Sequence, residues 1–477
     1  MTNNQIDYGT GKVSTLFRQV FVPTLFGMLS LSAVTMIDGI FVGHGAGSDG
    51  IAAVNICIPL LMILQGTGLM IGAGCSVLAS IDLSQGRVRM ARARLTQAMV
   101  FVTVIAVIAI MAIMLFPTRM AYILGSSEHL LPLVKDYLIG FAPSLLFQMW
   151  TEVSLFSIRL DGAPRLAMWC SITSAVLNVV LDWLFIFPLS MGVMGAALAT
   201  SICCFVGAMI AVVYMLFYAR KMRLHPLHLS RRGLSFFTRD LAEQCKVSFS
   251  TLLNQMTMAM LFFVGNHVFM RYLGDDGVGA FGISCYYMPF VFMIGNAIAQ
   301  SAQPIISYNF GLGQTSRVRE ALRVSLQTAV VCGVLPMLLF MFFPQWLVAL
   351  FLDTATPAAQ MAIEGFPYYC TGFVFFVVNL VAIGYYQSVE RVLPATTFAL
   401  LRGVVFLVPC FLLLPEVLGI KGIWLALALS ECLTSVVIVL TGTLFSCRSA
   451  HKQRRLSAVP SPSRTGRDRN ADTPLRR

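Results

Sequence analysis

Charge is what this sequence has least of: Asp, Glu, Lys and Arg make up 11 % of its 477 residues, where a soluble globular domain carries roughly a quarter. A chain so poor in charge cannot clothe a water-facing surface, which excludes an ordinary soluble domain. The alternating apolar segments of about ten residues that build a membrane β-barrel are also missing. The twelve cysteines form no CxxC pair and no Cys/His zinc spacing, so neither a disulfide framework nor a metal cluster is expected, and they read as packing residues. The first 19 residues lack the pattern of a cleavable signal, so the first apolar segment is expected to stay as an anchor.

What the chain has in abundance is apolar length. Hydrophobic residues make up 57 % of it, and Pro, Gly and charge divide it into runs of about 20 residues or more, enough for a helix to cross the hydrocarbon layer. Twelve such runs occupy 20–43, 51–81, 98–116, 137–158, 167–187, 193–218, 249–269, 278–306, 325–343, 368–387, 395–414 and 420–445. They predict an all-α membrane protein of twelve transmembrane helices. The net charge of +12 then reads as topology rather than nucleic-acid binding, because cytoplasmic loops collect Lys and Arg. With Met1 inside, the outer loops hold Arg119, Lys135, Arg271 and Lys421, Arg402 falls within a span, and the other 28 of the 33 basic residues lie inside. Both termini are expected to be cytoplasmic.

The chain repeats itself. A shift of 227 positions lays Gly47-Ser48-Asp49-Gly50-Ile51-Ala52-Ala53 on Gly274-Asp275-Asp276-Gly277-Val278-Gly279-Ala280, and the same shift pairs Gly86 with Gly313, Arg92 with Arg319, Pro188 with Pro415 and Gly192 with Gly419. Six spans in each half put both halves the same way up, a parallel repeat whose axis runs along the membrane normal. The expected organisation is an N-terminal lobe over 1–218, a basic cytoplasmic linker over 219–247, a C-terminal lobe over 248–447, and a Ser, Pro and Arg-rich tail over 448–477 expected to be disordered. Two homologous bundles flanking a pathway are a common transporter plan, suited to alternating access by rocking.

Ionisable groups inside spans are expensive and are functional candidates by default. Asp38 lies about six residues before the outer end of the first run, Asp182 about six before Pro188, and Thr200 about seven past the start of the sixth, all about 10 Å below the outer surface at 1.5 Å per residue. Asn178 is one helical turn from Asp182 on the same face. Two carboxylates, an amide oxygen and a hydroxyl suit a hard cation such as Na⁺, or equally a carboxyl pair sharing a proton because close like charges resist joint ionisation. The second half places Gly265, Val405, Pro409 and Leu427 at the matching positions, so the cation layer belongs to the first half alone. Its own mid-depth charges are Arg402 and Glu431, read first as a buried structural pair and otherwise as a site for charged substrate. Glu152 lies in the inner half of the fourth run, and Asn266 and His267 are expected to bond between helices. Met256, Met258, Met260, Met288 and Met293 offer the flexible thioethers of promiscuous binding surfaces.

The motifs Met36-Ile37-Asp38-Gly39-Ile40-Phe41-Val42-Gly43, Gly162-Ala163-Pro164, Asn178-Val179-Val180-Leu181-Asp182, Gly195-Ala196-Ala197-Leu198-Ala199-Thr200 and Pro304-Ile305-Ile306-Ser307-Tyr308-Asn309-Phe310-Gly311 together resemble the multidrug and toxic compound extrusion family, in particular its bacterial DinF-like and MepA-like members. The resemblance implies two six-helix lobes around a V-shaped cleft, and export of diverse, often cationic compounds driven by inward Na⁺ or H⁺. By motif matching it assigns cation coupling to Asp38, Asn178, Asp182 and Thr200, and helix bending to Pro23. The carboxylates of the seventh and tenth helices of NorM-like members have no counterpart; those spans carry Asn254, Asn266 and Asn379.

No cofactor beyond the coupling ion is expected, and the partners implied are small-molecule substrates and the lipid bilayer of a bacterial cytoplasmic membrane, with no nucleic acid and a monomeric state. The rival readings are a lipid-linked oligosaccharide flippase, which would want several basic residues in the cleft, and a membrane-embedded transferase, which would want acid, base or metal groups near a loop. In a cysteine-free background, single cysteines in the Ser126–Glu128 and Asp353–Thr356 loops should label from outside intact cells. Ser230 and the tail should label after permeabilisation, and the reverse pattern would invert the topology.

Overall fold

The computed structural model describes residues 7–225 and 231–457, and among these all regular structure is helical. The first half comprises α1 (Val13–Ala46), α2 (Ala52–Ser84), α3 (Val88–Leu115), α4 (Leu131–Leu160), α5 (Pro164–Ile186) and α6 (Gly192–Tyr218). The second comprises α7 (Thr238–Gly274), α8 (Asp276–Gly311), α9 (Thr315–Phe342), α10 (Pro357–Ser388), α11 (Val392–Leu418) and α12 (Ile420–Ser457). Eleven of these are long and apolar enough to cross a bilayer. The other, α4, has 30 residues and is more polar, with Lys135, Asp136, Glu152 and Arg159 along it.

Several helices outrun the apolar segments that announce them. α1 begins at Val13 and α10 at Pro357, because helical hydrogen bonding continues where long polar side chains can bend back toward water. The start of α10 has a cap of its own: Thr356 Oγ1 accepts from Ala359 N–H at 3.4 Å, with Pro357 in the first turn. The basic linker is likewise part helix. A helix begins at Arg231, loses helical geometry at Ser248, and only then enters the span; Ser230 lies outside the described residues. α12 runs on to Ser457, into the stretch expected as tail, and 458–477 lie outside the described residues.

The repeat is visible in the backbone. Pro117–Ile123 and Pro344–Ala349 are short helices at equivalent positions after α3 and α9, each entered through a Phe outside helical geometry, at φ -132°, ψ 49° and φ -127°, ψ 39°. Gly86 and Gly313 turn at φ 75° and 72°, and Gly192 and Gly419 at φ 55° and 59°, a region that L side chains enter only at a cost. The cores differ. The second half packs on rings: Trp424 meets Phe269 at 4.8 Å and Tyr369 at 6.0 Å between centroids, and Phe340 meets Phe373 at 5.1 Å. The first half packs α6 through Ala196, Ala197 and Ala199, all buried, the small residues by which membrane helices approach closely without a hydrophobic drive.

The halves are joined from mid-depth to the end that bears the basic loops. Gln255 donates to Gln65 at 3.5 Å, Gln303 to the Ala73 carbonyl at 3.4 Å, Arg159 to Gln300 at 2.6 Å and Ser80 to the Pro304 carbonyl at 3.3 Å. Leading segments cross over. Residues 7–12, which precede α1, are held by the second half: Arg317 donates to the carbonyls of Gly11 at 2.8 Å and Thr10 at 3.3 Å, and Asn309 to that of Tyr8 at 2.9 Å. Tyr8 itself donates to the Arg159 carbonyl. The 231–247 helix, which includes the first turns of α7 and ends at the break at Ser248, is held by the first half, where Arg94 bridges Asp82 at 2.7 Å and Asp240 at 2.6 Å. Asp82 and Asn309 are themselves equivalent in the repeat. Beside this bridge the Glu390 carboxyl is pushed up by burial, a shift the nearby Arg94 partly reverses.

Backbones touch here as well: a Cβ on Gly74 would stand 2.1 Å from the Gln244 carbonyl oxygen. Gly74→Val should therefore force the 231–247 helix off α2, at a cost of about 1–3 kcal/mol. A lowered melting temperature, together with faster labelling of a cysteine at Gln244, would report it, and an unchanged melt would mean the two segments are not held together.

Candidate functional site

α1, α5 and α6 bring three of the sequence-selected residues into one cluster and set the fourth within electrostatic reach. Asp182 is fully buried and Asn178, one turn earlier on α5, is 3 % exposed. The Asn178 amide donates to Thr200 Oγ1 at 3.5 Å, and Thr200 donates in turn to the Ala196 carbonyl at 3.0 Å. That chain joins α5 to α6. Asp38 on α1 lies close enough for its charge to act on Asp182. Neither Asp182 oxygen, nor Asp38 Oδ1, has a hydrogen-bond partner, although all three atoms are buried.

Buried polar groups are normally satisfied, so a carboxylate left with neither hydrogen-bond donor nor counter-charge requires an explanation. Among the described residues, no ion pair reaches either aspartate. The arrangement can hold a proton or a small cation, since either neutralises charge that the interior cannot solvate. Pro23 is buried within α1 and removes the amide that would bond back to the Gln19 carbonyl, a local weakness in the helix. Sequence reasoning missed Tyr137, a buried residue of α4 near both carboxylates; a lone Tyr beside charged Lys135 and Asp136 gave no signal.

The equivalent place in the second half is filled with hydrocarbon. Gly265 stands where the first half has Asp38, and its missing side chain admits the Phe281 ring, whose nearest atom would lie 2.3 Å from an added Cβ. Leu427, in place of Thr200, is buried, and Val405, in place of Asn178, is half exposed. Asn266 and His267 are exposed rather than bonded between helices, because they sit on the outward face of α7.

Arg402 and Glu431 are together and dry. Arg402 Nε meets Glu431 Oε1 at 2.7 Å, with side chains 0 % and 1 % exposed. The second carboxylate oxygen accepts from Asn379 at 2.7 Å, Asn379 accepts from Ser435 at 2.7 Å, and the guanidinium lies 3.9 Å from the Phe376 ring centre. Arg402 sits in a π-helical turn over Leu401–Val405, the wide turn that re-aims side chains within a helix. Met256 and Met260 line an apolar cavity of about 350 Å³ between the halves, with Met62 and Phe263, while Met258 and Met288 are core.

Removing one member of a buried pair strands the other charge, at a cost of about 3–5 kcal/mol, whereas removing both is close to neutral. Arg402→Met and Glu431→Gln should thus each lower the melting temperature sharply and the double variant far less. Additive losses would mean that the two side chains do not interact.

Comparison with known proteins agrees with this architecture. The MatE family profile matches the chain twice, over residues 23–184 and 251–412. The multidrug export protein MepA of Staphylococcus saprophyticus is 25 % identical over 88 % of this chain and 91 % of its own length. A protein named FAD transporter from Shewanella oneidensis is 23 % identical over 87 % of this chain and 91 % of its own. Among solved structures, the MATE multidrug transporter DinF-BH, solved as a complex, superposes with a TM-score of 0.82 at 28 % identity, covering 92 % of this chain and 98 % of that one. A profile matched once in each half, on a fold of two equivalent six-helix bundles, leaves no room for the membrane-embedded transferase: the chain is a multi-pass membrane transporter, not an enzyme, and belongs to the MATE family.

Proposed function

We propose that this transporter exports small organic compounds, cationic or amphipathic in character, by antiport against H⁺ or Na⁺, and that Asp38, Asn178, Asp182 and Thr200 bind the coupling ion. The observation that carries the reading is a buried carboxylate pair without a resident cation, in one half of a duplicated fold. Multidrug export is the named activity of MepA and of DinF-BH. The Shewanella relative, named for an anionic dinucleotide, and a lipid-linked sugar flippase would both favour free cations at mid-depth. Here Arg402 is committed to Glu431, which favours cationic or neutral cargo.

The asymmetry of 28 inner to four outer basic residues supports cytoplasmic termini in a bacterial inner membrane. The end at which the halves clasp one another is then the cytoplasmic one, and the conformation is closed to the cytoplasm. A monomer contains both lobes and so the whole pathway. By their depth along the spans the aspartates lie nearer the outer face, the side from which the driving ion enters. Binding a proton or Na⁺ removes net charge from the cluster and with it the cost of holding that charge away from water. α1 can then repack, with Pro23 as the point that bends most readily. Such repacking biases the lobes toward the inward state by the difference in ion affinity between the two states.

Asp38→Asn and Asp182→Asn should keep the fold and substrate binding while losing gradient-driven efflux by at least about tenfold, equivalent to 1.4 kcal/mol of coupling. Proteoliposomes under separately imposed Na⁺ and proton gradients give the readout and identify the ion. Near-normal driven efflux by the double Asn variant, at matched protein levels, would move the coupling site elsewhere.

A further inference from the structure

The two halves treat buried carboxylates in opposite ways. In the first, no basic side chain among the described residues pairs with Asp38 or Asp182, and three of their oxygens are buried without a hydrogen-bond partner. In the second, Glu431 has a cation supplied by the chain itself, and both its oxygens are engaged, one by Arg402 and one by Asn379.

We propose that Arg402 is a resident counter-ion: it occupies from within the chain the cation position of Glu431, so the second half takes up no exchangeable ion and the transporter couples through the first half alone. This rests on the coupling reading given above for Asp38 and Asp182.

Three observations carry it. First, the geometry is that of a cation held in a site. A carboxylate oxygen lies at 2.7 Å on the guanidinium Nε and the Phe376 ring at 3.9 Å from its centre, an anion and an aromatic face being the two surfaces that bind organic cations. Second, the arrangement is not the one a purely structural arginine adopts. Only Nε is strongly bonded, Nη1 reaches Asn254 at a weak 3.5 Å, and Nη2 is buried without a partner. An arginine retained for its hydrogen bonds would use its fork bidentately; this one satisfies charge and leaves donors over. Third, the backbone is bent to deliver it. The π-helical turn at Leu401–Val405 carries Arg402, and the next residue, Gly403, lies so close to α7 that a Cβ would stand 2.3 Å from Thr257 Oγ1. The guanidinium therefore has a fixed place at full burial, and with hydrocarbon at Gly265 and Leu427 the described residues of this half offer no other carboxylate site of the kind seen in the first.

If the guanidinium is a tethered ligand, deleting its side chain leaves a cavity shaped for a free one. Arg402→Ala should melt at lower temperature than the parent and regain several degrees on addition of methylguanidinium. Equal concentrations of tetramethylammonium, too large for the vacated place, control for ionic strength. Neither the unsubstituted protein nor Arg402→Ala/Glu431→Gln should respond. Methylguanidinium without effect on a cooperatively melting Arg402→Ala would overturn the proposal.

Because Arg402→Ala can fail to fold, a second arm uses Arg402→Met/Glu431→Gln, which carries no buried charge to strand. It should retain gradient-driven efflux with the unsubstituted dependence on the imposed ion gradient. Loss of that dependence, in protein that still melts cooperatively, would show that the pair takes part in coupling and would also overturn the proposal. The two readings fail separately. Retained coupling in Asp38→Asn/Asp182→Asn removes the first-half site, while lost coupling in the neutral pair removes the resident counter-ion.

Discussion

Charge that cannot reach water governs this molecule. Within a bilayer an ion left unpaired costs more than most single packing interactions return, so each buried carboxylate needs a partner or a purpose. The second half gives Glu431 a partner, and besides that neutral pair it builds a ring-filled core of Trp424, Phe269, Phe281 and Phe373. The first half withholds the partner from Asp38 and Asp182 and packs its α6 through alanines. Rigid aromatic packing and a satisfied ion pair make a fixed frame, whereas small side chains around unsatisfied charge make a part whose lowest-energy arrangement depends on what is bound. One ancestral bundle has thus been put to two mechanical uses.

The large features were legible in the sequence because each rests on a short-range rule. Apolar runs longer than a bilayer is thick announced the helices, a constant offset announced the repeat, and the one-turn spacing of Asn178 and Asp182 put both on one face. Depth counting brought Arg402 and Glu431 to one level, although their contact needed the fold. What stayed hidden depends on neighbours distant in sequence. The two short helices beginning at Pro117 and Pro344 have seven and six residues, too few for a helical period to show in the sequence. The helix within the basic linker was obscured because its stability comes from docking on α2, not from an apolar run. Tyr137 could not be assigned to the carboxylate cluster, since α4 meets α1 and α5 only in three dimensions. Asn266 and His267 illustrate the converse: polarity in a span suggested contact between helices, and the turn of the helix set them outside.

The crossed leaders carry a consequence for how the two halves cohere. Residues 7–12 belong by sequence to the first half and lie in the grip of Arg317 and Asn309 of the second, while the 231–247 helix belongs to the second and lies in the grip of Arg94 and Gly74 of the first. This is the geometry of a domain-swapped dimer, in which each protomer lends an equivalent element to the other. Two separate six-helix chains would hold one another by the same exchange, so the cohesion of the lobes at this end does not depend on the peptide connection between them. The halves have diverged in their buried charges, yet this reciprocal tie is kept on both sides of the repeat.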